Sequence, residues 1–312
     1  MIPSPTDTEA LANRINLHTR DAHNKVDTRL SIKMAFVMRH DFIYIDILKN
    51  FFLIFYTIES NINSILNCDE SDNEQLFRTR EILNQFYVNE FRRTDKTAQD
   101  LHFFQIDTDK LLQEKLDGSL PPRLNEFIQY IEYNVQKDPL TILAYCHVLY
   151  LALFAGGKIF KSTFMRNMGF LNNYKTELSQ RELILNVTNF FYFSDHPQEE
   201  LKLKLKYKEN YELATRNGLT EPEKLMIIDT SRDIFRYVYN IFEEIGQSNR
   251  EKLLSFRNFR IISFLLDEWK YDTDNSKSKS LKFMFGIIKY TLLIIFFLLL
   301  WTTIKSLYSL TK

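Results

Sequence analysis

An all-α fold is predicted for this chain by three observations. Only seven Gly and seven Pro punctuate 312 residues, too few for the many tight turns of a β protein. Two T-x-x-E capping boxes and one Asp-Pro pair mark helix starts far apart in the sequence. Between these signals, apolar residues recur at helical spacing, and 45% hydrophobic content is enough for a packed core. The expectation is a bundle of about eight helices followed by a C-terminal transmembrane helix.

Composition bounds the partners as well. Forty Lys plus Arg balance forty Asp plus Glu, so the basic footprint of a nucleic-acid binder is missing, and nucleic acid is not expected as a partner. Cys68 and Cys146 have no CxxC or CxxH company, which argues against disulfides and cysteine-bound zinc.

The first helix is expected to begin near residue 7, behind the Thr6–Glu9 box, and to run through LANRINLHTRDAHNKVDTRL. Leu11, Ala12, Ile15, Ala22, Val26 and Leu30 share one face. His18 and His23 flank that face on opposite sides at similar angles, so periodicity leaves open which of them is a ligand. Residues 41–66 form an aromatic-rich stretch long enough for a buried helix, and 74–102 read as mixed and amphipathic. Gly118-Ser-Leu-Pro-Pro122 is the clearest loop.

Asp138 and Pro139 supply an N-cap and a first-turn proline for the apolar run LTILAYCHVLYLALFAGGK. By length and hydropathy this run also qualifies as a membrane span. His147 in its middle, the Gly156-Gly157 pair and the lack of a leader favour the central helix of a globular domain. Two helical glycines cost roughly 1 kcal/mol each relative to alanine. Either a flat ligand lies against the bare backbone there, or the helix ends or kinks. Leu149, Ala152, Leu153 and Gly156 share one face, whereas His147 points nearly the opposite way and is a weak pocket candidate.

LKLKLKYKENYEL alternates too briefly for a strand, and Glu199, Glu200 and Glu209 permit a helix with charged pairs. Lys204 and Lys208 lie one turn apart on it, on a basic face that is open to solvent. The Thr220–Glu223 box then opens a long amphipathic helix that passes Phe235 and reaches Phe242-Glu-Glu-Ile245.

Residues 283–304, FMFGIIKYTLLIIFFLLLWTTI, are long enough at 1.5 Å per residue to cross a hydrocarbon core of roughly 30 Å. Lys289 near one end can snorkel, and Tyr290 and Trp301 suit the headgroup region. Lys277, Lys279 and Lys282 precede the span, and only Lys305 and Lys312 follow it, which keeps the large domain cytosolic. The N-terminus has no basic n-region or apolar h-region. The expected organisation is a cytosolic helical domain over 1–270, a polar linker over 271–282, a tail anchor over 283–304 and a short lumenal tail over 305–312.

Three separated segments resemble one family. Thr19-Arg-Asp-Ala-His23 resembles the T-[KR]-x-x-H proximal-ligand motif of haem oxygenases. Leu151-Ala-Leu-Phe-Ala-Gly-Gly-Lys158 is similar to their glycine-rich distal helix, and the helix ending in Phe-Glu-Glu-Ile to their C-terminal core helix. With the tail anchor, the nearest resemblance is to the divergent haem oxygenases of budding yeasts.

That resemblance implies a haem oxygenase-like bundle with His23 as axial iron ligand, which decides against His18. It implies that Arg20, Lys204 and Lys208 pair with the haem propionates, and that Phe235 and Phe242 enclose the macrocycle. Leu149, Ala152, Leu153, Gly156 and Gly157 would form the distal helix over the haem face. The implied reaction degrades haem to biliverdin, carbon monoxide and ferrous iron for iron recovery. Electrons would come from NADPH through a membrane-bound flavoprotein reductase, on the endoplasmic reticulum membrane.

The family pattern has Gly-Asp where this chain has Ala152 and Leu153, and its aspartate organises the water that delivers protons. A leucine cannot accept or relay a proton. Family basic and tyrosine positions are Asn16 and His147 here. A haem-binding sensor or buffer with little or no oxygenase activity is therefore the alternative, and a helical membrane adaptor without cofactor is a third reading.

Overall fold

The computed structural model describes residues 3–4, 6–22, 40–69, 73–154, 171, 174, 177–194 and 196–256. The chain divides into a compact unit over 1–249 and a second unit over 250–312, of which 250–256 are described. The described residues are helical with no strand, as the sequence predicts. No described helix is long and apolar enough to cross a membrane; residues 283–304 lie outside the described residues.

The elements of the first unit are α1 (Leu11–His18), α2 (Asp41–Leu66), α3 (Glu74–Phe86), α4 (Thr94–Phe103), α5 (Thr108–Leu116) and α6 (Pro122–Lys137). After a 3-10 turn at Pro139–Thr141 come α7 (Ile142–Tyr145), a π turn (Cys146–Tyr150) and further helix through 154. Then follow α8 (Gln180–Asn186), α9 (Pro197–Gly218) and α10 (Glu221–Ser248). The short α11 (Arg250–Leu254) belongs to the second unit.

The N-terminal expectation is corrected by two residues of local chemistry. The helix starts at Leu11, not near 7. Asp7, not Thr6, accepts the backbone N–H groups of Glu9 and Ala10, so the Thr6–Glu9 box does not form. An aspartate binds these donors as a charged acceptor, whereas a threonine hydroxyl is neutral. Elsewhere the punctuation works as read. Asp138 accepts from Leu140 N, and the Thr220–Glu223 box is complete. Gly118 takes φ +70° in the predicted loop, a conformation that needs no Cβ. The stretch 74–102 divides into α3, a 3-10 turn at Asn89–Phe91 and α4.

α2 is the axle of the bundle. Its 26 residues are buried on several sides, because α3, α4, α5, α6, α7 and α10 all pack on it. Ile47, Ile54, Ile58 and Ile62 are at most 3% exposed, and the exposed positions of this apolar, aromatic-rich helix are Ser60 and Ser64 near its C-terminal end. α6 is amphipathic instead, burying Leu124, Phe127, Ile128, Ile131 and Val135.

Buried polar groups fix the segment 187–193. The Asp100 carboxylate accepts from Asn189 N (2.8 Å), Asn189 Nδ2 (2.9 Å) and Phe190 N (2.9 Å). Its burial pushes it up to about 7. Arg93, 1% exposed, donates to the carbonyls of Phe91 (2.9 Å), Phe190 (3.3 Å) and Tyr192 (2.6 Å) and lies 4.1 Å over the Phe193 ring. Burial pushes its guanidinium down to about 10. Glu59 of α2 accepts from the backbone N of Arg93 and of Thr94, closing the cluster.

Candidate haem site

Residues 139–150 are the longest unbroken run of buried residues among those described. Every residue from Pro139 to Tyr150 is buried, including Leu149 at 5% exposure, and Leu153 is 8% exposed. Ala152 between them is exposed, so this is where the segment opens to a surface. The π turn adds a residue to the circuit, so the α-helical wheel used to group Leu149 with Ala152 and Leu153 crosses an irregular turn. Gly156 and Gly157 lie outside the described residues.

α9 lies along this segment and reaches it with three side chains. Tyr211 Oη donates to Leu143 O (3.1 Å), Tyr207 Oη to Cys146 O (2.6 Å) and Lys204 Nζ to Phe154 O (3.3 Å). Positions 204, 207 and 211 fall on one face of a helix, which is why one element can make all three bonds. Lys208, one turn after Lys204, is exposed. His147 is buried against Tyr211, with ring centroids 5.0 Å apart. Its Nδ1 has no hydrogen-bond partner, and burial together with the charge of Lys208 pushes the imidazole down to about 3. It is a neutral core histidine facing α9.

α1 packs on α9 and α10 through Leu11 and Ile15, each 1% exposed. Arg14 pairs with Glu221 at the start of α10, and Arg216 of α9 pairs with Asp7. Thr19 is buried with its hydroxyl on Ile15 O (2.8 Å), while His18 and Arg20 on either side are exposed. His23 lies outside the described residues. On α10, Phe235 and Phe242 are half-buried seven residues apart, and Phe242 meets Phe51 of α2 at a centroid distance of 6.0 Å.

A cavity of about 430 Å³ opens between α2, α5, α6 and α10, with Asn50, Lys110, Leu124 and Glu244 in its wall. It contains none of the sequence-predicted site residues. Sequence reading missed Tyr207 and Tyr211. Their i, i+4 spacing among lysines is the signal that could have found them, since two aromatics one turn apart mark the buried side of a polar helix.

The family model described as heme oxygenase matches residues 9–244 of this chain. The chain belongs to the haem oxygenase family. Among curated relatives, it is 47% identical over 287 residues to heme-binding protein HMX1 of Saccharomyces cerevisiae, covering 90% of this chain and 89% of that one. Solved haem oxygenases share the fold. That of Leptospira interrogans matches with a TM-score of 0.57 at 20% identity, over 75% of this chain and 99% of its own. Heme oxygenase-1 of the cyanobacterium Synechocystis, solved in complex with heme, gives a TM-score of 0.58 at 18% identity over 81% and 99%. For this haem oxygenase family member, the expected all-α fold and the resemblance read from three motifs are thus both established.

Proposed function

We propose that this chain binds haem between the segment carrying His23 and the segment 149–157, and degrades it to biliverdin, carbon monoxide and ferrous iron. The observation that carries the reading is the family match over 9–244, which includes the TRDAH and AGGK segments. The described residues fit a flat apolar group with two carboxylate arms. Leu149, Ala152 and Leu153 supply apolar surface, Lys204 reaches the carbonyl of Phe154, and Lys208 follows one turn later on the same helix. In this assignment Arg20 is a third cation for the propionates, and its exposure at the end of α1 suits a partner carried in from solvent. Phe235 and Phe242 are the aromatic edge.

Haem when bound supplies the oxygen-activating chemistry and is itself the substrate. The chain's own part is to ligate through a neutral His23 imidazole, to orient the ring by its propionates and to exclude water with leucine and phenylalanine. Electrons are assigned to NADPH through a membrane-bound flavoprotein reductase. A tail anchor over 283–304 in the endoplasmic reticulum membrane would hold both proteins on one surface and raise their encounter frequency. Removing 283–312 is expected to convert a carbonate-resistant membrane protein into a soluble one that still binds haem. A truncated chain that stays in the membrane fraction would refute the anchor.

One observation favours a second reading. Leu153 is buried and cannot handle a proton, and the yeast relative is named only as heme-binding. A haem sensor or buffer with little turnover follows if no other group delivers protons. The deciding experiment is a turnover assay on haem-loaded protein with NADPH and reductase, read by Soret loss and bilin appearance. In the same assay Leu153→Asp is expected to raise bilin yield per haem consumed. The exposure of Ala152 leaves space beside it for an ordered water, and Ala152→Gly with Leu153→Asp widens that space. If both variants fold, bind haem and yield no more bilin than the parent, proton delivery does not depend on this position.

A further inference from the structure

A π turn at Cys146–Tyr150 interrupts the helix of the central buried segment, and it contains Leu149 and directly precedes Ala152 and Leu153 of the stretch assigned to the haem face. A π turn closes i to i+5 bonds and holds one residue more than an α turn. Everything after it is therefore rotated by about 100° relative to a continuous α-helix. It also disturbs the regular pairing of nearby carbonyls, and a buried carbonyl left without a donor is costly.

Two carbonyls bordering the turn receive hydroxyls from the neighbouring helix: Cys146 O from Tyr207, and Leu143 O, which also accepts from Cys146 N, from Tyr211. Both tyrosines are 1% exposed, and their rings cannot swing away. Phe86 meets them edge-on at 5.5 and 5.1 Å, Phe91 meets Tyr207 edge-on at 4.8 Å, and the two tyrosine rings stack on each other at 6.0 Å. The donors are thus fixed in space before the carbonyls are considered.

We propose that Tyr207 and Tyr211 are positioning residues: their hydroxyls hold the π turn and so set the rotation with which Leu149, Ala152 and Leu153 face the haem. They touch neither haem nor substrate. The inference rests on the haem-site reading above for its consequence, but the turn and its two donors are independent of it.

The test uses the full chain in detergent with Tyr207→Phe, Tyr211→Phe and the double variant, which remove only the two oxygens. The control is Tyr44→Phe, which deletes an equally buried hydroxyl donating to Val187 O, away from the turn. Hydrogen exchange is measured on haem-free protein, and the vibrational frequency of carbon monoxide on the ferrous haem complex. The double variant is expected to speed exchange of amides 147–152 by about tenfold over the Tyr44→Phe control. It is also expected to shift or split the carbon monoxide band, which Tyr44→Phe should leave in place.

Deleting Val148 from the double variant removes the extra residue, so an uninterrupted α-helix would present the downstream residues at their original rotation, and the parent band should return. Unchanged exchange at 147–152 in a folded double variant overturns the proposal, as does an identical band shift in Tyr44→Phe. If the chain takes up no haem, the haem-site reading fails alone, and the exchange comparison still decides whether the hydroxyls hold the turn.

Discussion

Haemin added to the His23→Ala variant is expected to give no sharp histidine-type Soret band, while His18→Ala binds haem as the parent does. The two histidines flank one helical stripe, and periodicity could not separate them. The fold adds one fact: His18 is exposed at the end of α1, which is tied to α9 and α10 by buried Leu11 and Ile15. An exposed histidine is hydrated, and nothing presses it toward a buried iron. His23, five residues later, lies in the TRDAH run that resembles the family's proximal-ligand motif, within the matched residues 9–244. Haem spectra lost equally in both variants, or in neither, would contradict the assignment. Because the axial bond is a single contact, the effect should be loss of the spectral type and not a graded weakening.

The largest effect on stability is expected at Arg93. Its guanidinium is buried and serves carbonyls from two separate stretches of chain, 90–91 and 190–192, while its own backbone N–H goes to Glu59. Arg93→Met preserves much of the volume and the backbone N–H to Glu59, but leaves those carbonyls without the guanidinium donor. Each buried carbonyl left without its donor costs about 1–3 kcal/mol, so losing several at once is expected to cost about 3–5 kcal/mol, a large fraction of the stability of an ordinary domain. Denaturant unfolding of haem-free protein measures it. Arg93→Lys should recover only part, because an ammonium cannot present a planar fork to several carbonyls at once. A loss below about 1 kcal/mol in Arg93→Met would mean that water replaces the guanidinium.

Much of the fold was legible because its signals are local. The Asp138-Pro139 start, the Thr220–Glu223 box, the 41–66 helix and the Gly118 loop each depend on neighbours in sequence, and each appears where expected. The Thr6–Glu9 box failed because a stronger acceptor, Asp7, lay between its members. The π turn was not legible, since its stabilising donors, Tyr207 and Tyr211, come from a helix about sixty residues later. Arg93 was missed for the same reason: one arginine in Phe-Arg-Arg-Thr looks like a surface charge until the distant segment 190–192 closes over it. At the site, the motifs named residues that composition and wheels had left open. The wheel marked His147 as a weak pocket candidate, but its burial against α9 could only come from tertiary packing.

The way α1 is fastened has a further consequence for local opening. The helix that leads to His23 is held by two buried aliphatic side chains and by ion pairs at the surface, Arg14 with Glu221 and, just ahead of it, Asp7 with Arg216. Surface pairs are weak and screened by salt, whereas the axle α2 and the Arg93 cluster are locked from all sides. Opening is therefore graded across the molecule, with the N-terminal helix near the low end and the core near the high end. The fastening of α1 is partly electrostatic and local, so its local opening is expected to respond to ionic strength while the integrity of the bundle does not.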